Sequence, residues 1–146
     1  MSGSAYTKPL PKIDALGAPF WEGTRAGELR VQRCTDCGTL AFPPARHCAA
    51  CLGERREWVR VSGRGTVATF GIFHRLYFPA FERDLPYNVA LVRLDEGPRM
   101  YTNLVGIRNE DIAIGMRVRA RFEAVTDEVT LVKFEPDPAN GTEDGR

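Results

Sequence analysis

The stretch Cys34-Thr35-Asp36-Cys37-Gly38, followed by Cys48-Ala49-Ala50-Cys51, holds every cysteine of the chain in two C-x-x-C pairs ten residues apart. Each pair offers two thiolates from one tight turn, and two such turns facing each other complete a tetrahedral four-sulfur shell. Gly38 lets the backbone turn back after Cys37 and aim N–H groups at the sulfurs, and Gly53 lets the second pair turn in the same way. The spacing therefore predicts one structural Zn2+ per chain, held by Cys34, Cys37, Cys48 and Cys51. Four thiolates leave no open position for water or substrate, so such a metal folds the chain and does not catalyse.

Three other readings compete. Disulfides suit secreted chains, and no charged start, apolar run and small-residue cleavage site marks this sequence for export. A redox C-x-x-C normally caps a helix after a buried strand, and it leaves the second pair unexplained. Unrelated buried cysteines seldom fall into this double spacing.

At 146 residues the chain is one ordinary domain or two very small ones. Hydrophobic residues make up 43% and charged residues 27%, a globular balance. No stretch approaches the roughly 18 apolar residues of a membrane span. The formal net charge of +1 falls to about −1 once four thiolates hold a divalent metal. A near-neutral chain has no global attraction for nucleic acid or an anionic membrane. Thiolates that hold zinc, without an export signal, place the chain in a reducing cytoplasm.

Outward from the cysteines, the chain divides into four expected parts: an N-terminal arm and helix over 1–28, a zinc ribbon over 29–61, a barrel over 62–136 and a disordered tail over 137–146. A short helix is expected from Leu16 to Ala26, with Leu16, Phe20 and Trp21 on one face and Pro19 at an early position. That face packs either on the chain's own core or on a partner. Glu28 to Arg33 alternates as a strand entering the ribbon, Phe42-Pro43-Pro44 crosses between the cysteine turns, and Trp58-Val59 leaves it. A ribbon of this size does not hold itself together without metal.

From Gly63 the pattern becomes all-β. Strands are expected at Gly65–Phe73, Asn88–Asp95, Met100–Val105, around Val118 to Ala124 and at Thr130–Glu135, with a helical turn capped by Asn109. Five short strands with one late helical turn is the pattern of an OB-fold, a Greek-key barrel.

The ordered set of motifs resembles the DUF35 family of acyl-CoA-associated proteins. It comprises Phe20-Trp21, Leu29-x-x-Gln32-x-Cys34-x-x-Cys37-Gly38, Phe42-Pro43-Pro44, Cys48-x-x-Cys51 and Trp58. The second half adds Ser62-Gly63-x-Gly65-Thr66-Val67, Pro86-Tyr87, Leu94-Asp95-Glu96-Gly97 and Ile114-Gly115-Met116-x-Val118. The ribbon departs from the family in having Pro44-Ala45-Arg46 where Pro-Arg is usual. The resemblance implies a mainly β fold: a helical leader, a rubredoxin-like zinc ribbon and a C-terminal five-stranded OB-fold barrel. It also implies a small subunit in a hetero-oligomer with a thiolase-superfamily protein, in which the partner supplies the nucleophilic cysteine and acyl-CoA binds at the shared interface. Other members are fused or docked to acyl-CoA hydratases. Phe20 and Trp21 in the leader are then candidates for contact with the partner.

No catalytic set is evident in the chain itself. All four cysteines go to the metal, and only His47 and His74 offer an imidazole. His47 reads as a ribbon-surface residue rather than a fifth ligand, and His74 as a surface or hydrogen-bonded residue rather than a base. The segment from His74 to Arg83 is dense in aromatic and arginine residues. Tyr77, Phe78 and Phe81 can stack an adenine ring while Arg75 and Arg83 pair with coenzyme A phosphates. The same aromatics can instead plug the barrel end or meet a partner. Three functions stay open: a non-catalytic subunit of an acyl-CoA thiolase or thiolase-like acyltransferase or aldolase; a single-stranded nucleic-acid module using Arg55, Arg56, Arg60 and Arg64; and a self-sufficient enzyme. The near-zero charge weighs against nucleic acid.

Overall fold

Leu29–Cys34 forms β1, which is covered on both faces: Leu29 and Val31 are buried on one and Gln32 and Cys34 on the other, while Arg33 is exposed near its end. β1 lies between β2 (Leu40–Ala41) and β3 (Arg56–Val61), antiparallel to both. The chain is represented by a computed structural model that describes residues 8–76 and 79–138.

Ahead of β1 runs α1, Ala18–Arg25, shorter than the stretch expected from sequence. Gly17 stands at its start with its N–H bonded to Asp14 Oδ1 at 2.8 Å, and Pro19 sits in the first turn. Eight residues are too few for a helix to persist alone, so packing holds it. Phe20, Gly23 and Thr24 form its buried face, and it lies against β1, β7 and β8.

The second layer is a five-stranded antiparallel sheet in the order β6-β5-β4-β7-β8. Its strands are β4 (Arg64–Phe73), β5 (Tyr87–Leu94), β6 (Arg99–Thr102), β7 (Arg117–Ala124) and β8 (Thr130–Pro136). The sheet curls until its two ends meet. Just beyond β6, Leu104 bridges Phe134 of β8 in parallel, with Phe134 N–H donating to Asn103 O and Val105 N–H to Phe134 O. The five strands, their order and this parallel closure are those of an OB-fold. A bulge between Val67 and Thr69 bends β4 as the curl requires.

Two local expectations change. Asn109–Asp111 is a 3-10 turn preceded by Arg108, and Asn109 does not cap it. Asn109 instead donates from Nδ2 to Pro86 O at 3.0 Å and accepts from Asn88 Nδ2 at 3.2 Å, which ties the turn to the start of β5. The third strand is also shorter than expected, because after Thr102 the chain leaves β5 to make the Leu104 bridge.

One core joins the layers. Phe20 from the helix and Leu29, Val31 and Val61 from the ribbon strands cluster with Val67, Val92, Leu94, Val118 and Phe134 of the barrel.

Candidate metal centre and docking residues

β1 ends on Cys34, which delivers the first sulfur from a strand already fixed in the core. The turn that follows is closed by Gly38 N–H bonding to Cys34 O at 2.8 Å, and Gly38 takes the left-handed conformation with φ 81°. The second turn repeats the pattern: Leu52 N–H bonds to Cys48 O at 2.7 Å, and Leu52 has φ 65°. Gly38 N–H therefore closes the turn instead of pointing at sulfur. The N–H groups that favour thiolates include those of Thr39 and Gly53, two residues after Cys37 and Cys51, and that of Ala50, which donates to Cys48 Sγ at 3.3 Å.

The four sulfurs lie within 4.8 Å of one another. Cys34 Sγ is 3.6 Å from Cys51 Sγ, and Cys37 Sγ is 3.6 Å from Cys48 Sγ. That separation is far too long for a disulfide bond. Metal–sulfur bonds of about 2.3 Å at tetrahedral angles place sulfurs about 3.8 Å apart, so the cluster fits a four-thiolate metal shell. Among the described residues it is the one group of His, Cys, Asp or Glu close enough to hold an ion. Cys34 and Cys48 are buried, and Cys37 and Cys51 face outward.

The two outward thiols are driven in opposite directions. Bonds from the Thr39 side chain and backbone pull Cys37 down to about 6. At Cys51 the Gly53 N–H favours the thiolate, but the sulfurs of Cys34, Cys37 and Cys48 outweigh it and push the group up to about 12. One crowded sulfur gains the charge and its neighbour is denied it. A divalent cation at the centre lifts that restriction.

Gln32 is a residue whose role the sequence did not disclose. It is buried in β1, and its Oε1 accepts from Ala45 N–H at 2.9 Å. This bond pins the segment that crosses between the two cysteine turns.

Phe20, expected as a candidate partner contact, is packed into the chain's own core at 6% exposure, with its ring 5.1 Å from Phe42. Trp21 stands edge-on to Phe20 at 5.0 Å and is half-buried. His47 is exposed and pairs with Glu54 at 3.4 Å, and His74 is exposed at the end of β4. No hydrogen bond among the described residues joins either histidine to a serine, threonine or cysteine side chain.

In the segment after β4, Arg75, Phe81 and Arg83 are described, whereas Tyr77 and Phe78 lie outside the described residues. Pro79–Asp84 winds into a 3-10 helix that carries Phe81 and Arg83. Phe81 reaches Tyr87 at 6.0 Å, and the Lys8 ammonium sits 5.6 Å over its ring. Phe81 also borders a cavity of about 510 Å³ at the barrel end, beside Asn88, Asn103, Asn109 and Lys133. Arg75 and Arg83 are exposed, and neither lines that cavity.

Three of the four arginines of the basic run near the ribbon form ion pairs within the chain, and Arg56 is held through one of its three guanidinium nitrogens. Arg55 pairs with Asp36, Arg60 with Glu28 and Arg64 with Asp137, while Arg56 donates to Ala45 O. No helix among the described residues is long and apolar enough to cross a membrane.

Two family models match in order along the chain: the rubredoxin-like zinc ribbon domain of ChsH2 over residues 21–57, and the C-terminal OB-fold domain of ChsH2 over residues 58–123. The chain is 40% identical to a probable enoyl-CoA hydratase alpha subunit of Thermomonospora curvata over 88% of its own length, and it spans 40% of that subunit. It is 35% identical to a DUF35 domain-containing scaffold protein of Methanocaldococcus jannaschii, over 66% of this chain and 68% of that one. It is 34% identical to the benzoylsuccinyl-CoA thiolase subunit BbsA of Thauera aromatica, over 64% of this chain and 61% of that one. Among solved structures, a chain of the Ltp2-ChsH2(DUF35) aldolase superposes with a TM-score of 0.78 at 39% identity, covering 87% of this chain and 98% of that one. With the helix, the four-cysteine ribbon and the curled five-stranded sheet in this order, the chain belongs to the DUF35 family.

Proposed function

We propose that this chain is the zinc-holding, non-catalytic subunit of a thiolase-type acyl-CoA complex, where it scaffolds its partner and helps form the acyl-CoA entrance. The observation that carries this reading is the likeness to the chain of the Ltp2-ChsH2(DUF35) aldolase, which this chain spans almost completely. The likeness to a thiolase subunit supports the type of partner. The chemistry of the chain agrees: its four thiols converge on one centre, which leaves no cysteine for acyl transfer. Cys34, Cys37, Cys48 and Cys51 would hold the ion, and zinc suits a closed four-thiolate shell with no redox function. Bound there, it supplies no reaction step and fixes the two turns against each other. Thiolate ligands of this kind belong in a reducing cytoplasm.

Co-expression with the thiolase-type protein encoded beside it, followed by size-exclusion chromatography with light scattering and metal analysis, tests the reading. Co-elution as a defined hetero-oligomer, such as two copies of each, with one zinc per copy of this chain is the expected result. Separate elution, with the thiolase fully active alone, overturns it. The hydratase relative favours a second reading, in which the partner is an acyl-CoA hydratase. Co-elution with the hydratase-type neighbour in place of the thiolase would select that one.

A further inference from the structure

On the outward side of β4, β5 and β6, strand pairing sets Phe73 beside Tyr87, Gly71 beside Val89, Thr69 beside Leu91, and Leu91 beside Tyr101. Phe73 and Tyr87 stack with centroids 5.6 Å apart. Tyr101 is 74% exposed and Phe73 38%, while Val89 and Leu91 are half-buried. The helix lies elsewhere, against β1, β7 and β8. From Tyr87 to Arg93 the apolar stripe runs about 20 Å along β5.

It ends on two like charges. Arg93 stands directly across from Arg99, both exposed. Cross-strand neighbours of the same sign repel and weaken a sheet unless something answers them. The chain answers its other such pairs itself: Arg30 and Arg60 both reach Glu28, Arg64 and Arg119 turn to Asp137 and Glu135, and Arg121 and Lys133 turn to Glu135 and Glu123. No carboxylate of the described residues forms an ion pair with Arg93 or Arg99. Asp95, which does feel the charge of Arg93, is held by both prongs of Arg117 at 2.7 and 2.8 Å.

We infer that the outer face of β4–β6 docks the partner subunit, through an apolar protein surface edged by carboxylates that receive Arg93 and Arg99. This inference rests on the subunit reading above. Tyrosine and arginine are the side chains that concentrate binding energy at the centre of protein interfaces. The charge argument selects an acidic rim, since two unanswered guanidinium groups beside an apolar stripe gain most from desolvated carboxylates. A single nucleic-acid strand fits less well, because its binding calls for a cationic track, whereas here the arginine pair is followed at once by the acidic turn Asp95-Glu96.

The test uses the full chain with the thiolase-type neighbour, and compares wild type with R93E/R99E, Tyr101→Ala and, as a control, Ile114→Ser, whose side chain is 67% exposed between the 3-10 turn and β7. Zinc content and thermal midpoint report folding, and titration of the complex reports affinity. The expected result is a tenfold or greater loss of affinity in R93E/R99E and in Tyr101→Ala. The Ile114→Ser control should bind as wild type, and wild-type affinity should fall with added salt. Wild-type affinity in both face variants overturns the docking face and leaves the subunit reading standing. Failure of wild type to bind the partner removes the subunit reading and the docking face with it. Binding of a single-stranded oligonucleotide by wild type, lost in R93E/R99E while partner binding persists, overturns the face as a protein contact.

Discussion

Leu52 shows how much one backbone angle decides in the ribbon. It occupies the place in the second cysteine turn that Gly38 holds in the first, with the same closing bond and the same left-handed backbone. An L-residue in that region costs about 1–2 kcal/mol, and the Leu52 side chain, 74% exposed, recovers little by burial. Leu52→Gly should therefore stabilise the holo protein by about 0.5–1 kcal/mol, after the added freedom of glycine in the unfolded chain is allowed for. A rise of about 2 °C in thermal midpoint, with unchanged zinc stoichiometry, is the expected reading. Gly53, which the sequence suggested as the turning residue, has another cause: a Cβ there would collide with Asp36 Oδ2 and press on Cys51 Sγ at 3.3 Å. Cysteine spacing was readable because metal geometry demands it. The strain at Leu52 was not, since nothing in the residue order says which position must turn left-handed.

Among the elements, the closure of the barrel depends on a side chain standing in for a strand. Asn88, 7% exposed on β5, donates from Nδ2 to Leu104 O at 3.0 Å and accepts from Leu104 N–H at 2.6 Å. It thereby satisfies the backbone where the chain swings from β6 towards β8. Asn88→Ala leaves both Leu104 groups buried without a partner, and a loss of about 2–3 kcal/mol in denaturant unfolding is expected. Asp95 and Arg117 join the turn after β5 to β7. The hydrogen bond from Arg117 and its charge hold the Asp95 carboxyl below its ordinary value. Because the folded protein binds that proton less readily than the unfolded chain, the contribution is complete above about pH 4 and fades as pH falls through the folded value. Asp95→Asn should lower stability at pH 7 by about 0.5–1 kcal/mol, and the gap to wild type should narrow in urea titrations as pH falls below the ordinary carboxylate range. The five strands themselves were legible, because Val118, Met100 and their neighbours alternate with exposed residues. The 3-10 helix at Pro79–Asp84 was not, because its six residues contain no buried side chain to set a period.

For the molecule as a whole, the ribbon and barrel share one core. Leu29, Val31 and Val61 belong to the same core as Val92, Val118 and Phe134, and Phe20 of the helix seals it. A metal that fixes the Cys34 end of β1 therefore bears on the barrel as well. Chelation is expected to lower the thermal midpoint of the entire chain in one transition, followed in parallel by tryptophan fluorescence and far-ultraviolet circular dichroism. Two separate transitions, with the barrel unmoved by chelator, would show that the shared core does not couple them.

The sequence by itself determined the four-cysteine centre, the order of helix, ribbon and barrel, and the family to which they belong. Each of these rests on local chemistry: ligand spacing, alternation along a strand, and motifs of adjacent residues. Only the tertiary structure decided that Phe20 packs into the chain's own core, that Gln32 and Asn88 bond to distant backbone, and that Arg93 and Arg99 stand side by side. Those facts depend on which strands become neighbours, and pairing between residues far apart in sequence is set by burying one common core, which no single segment encodes.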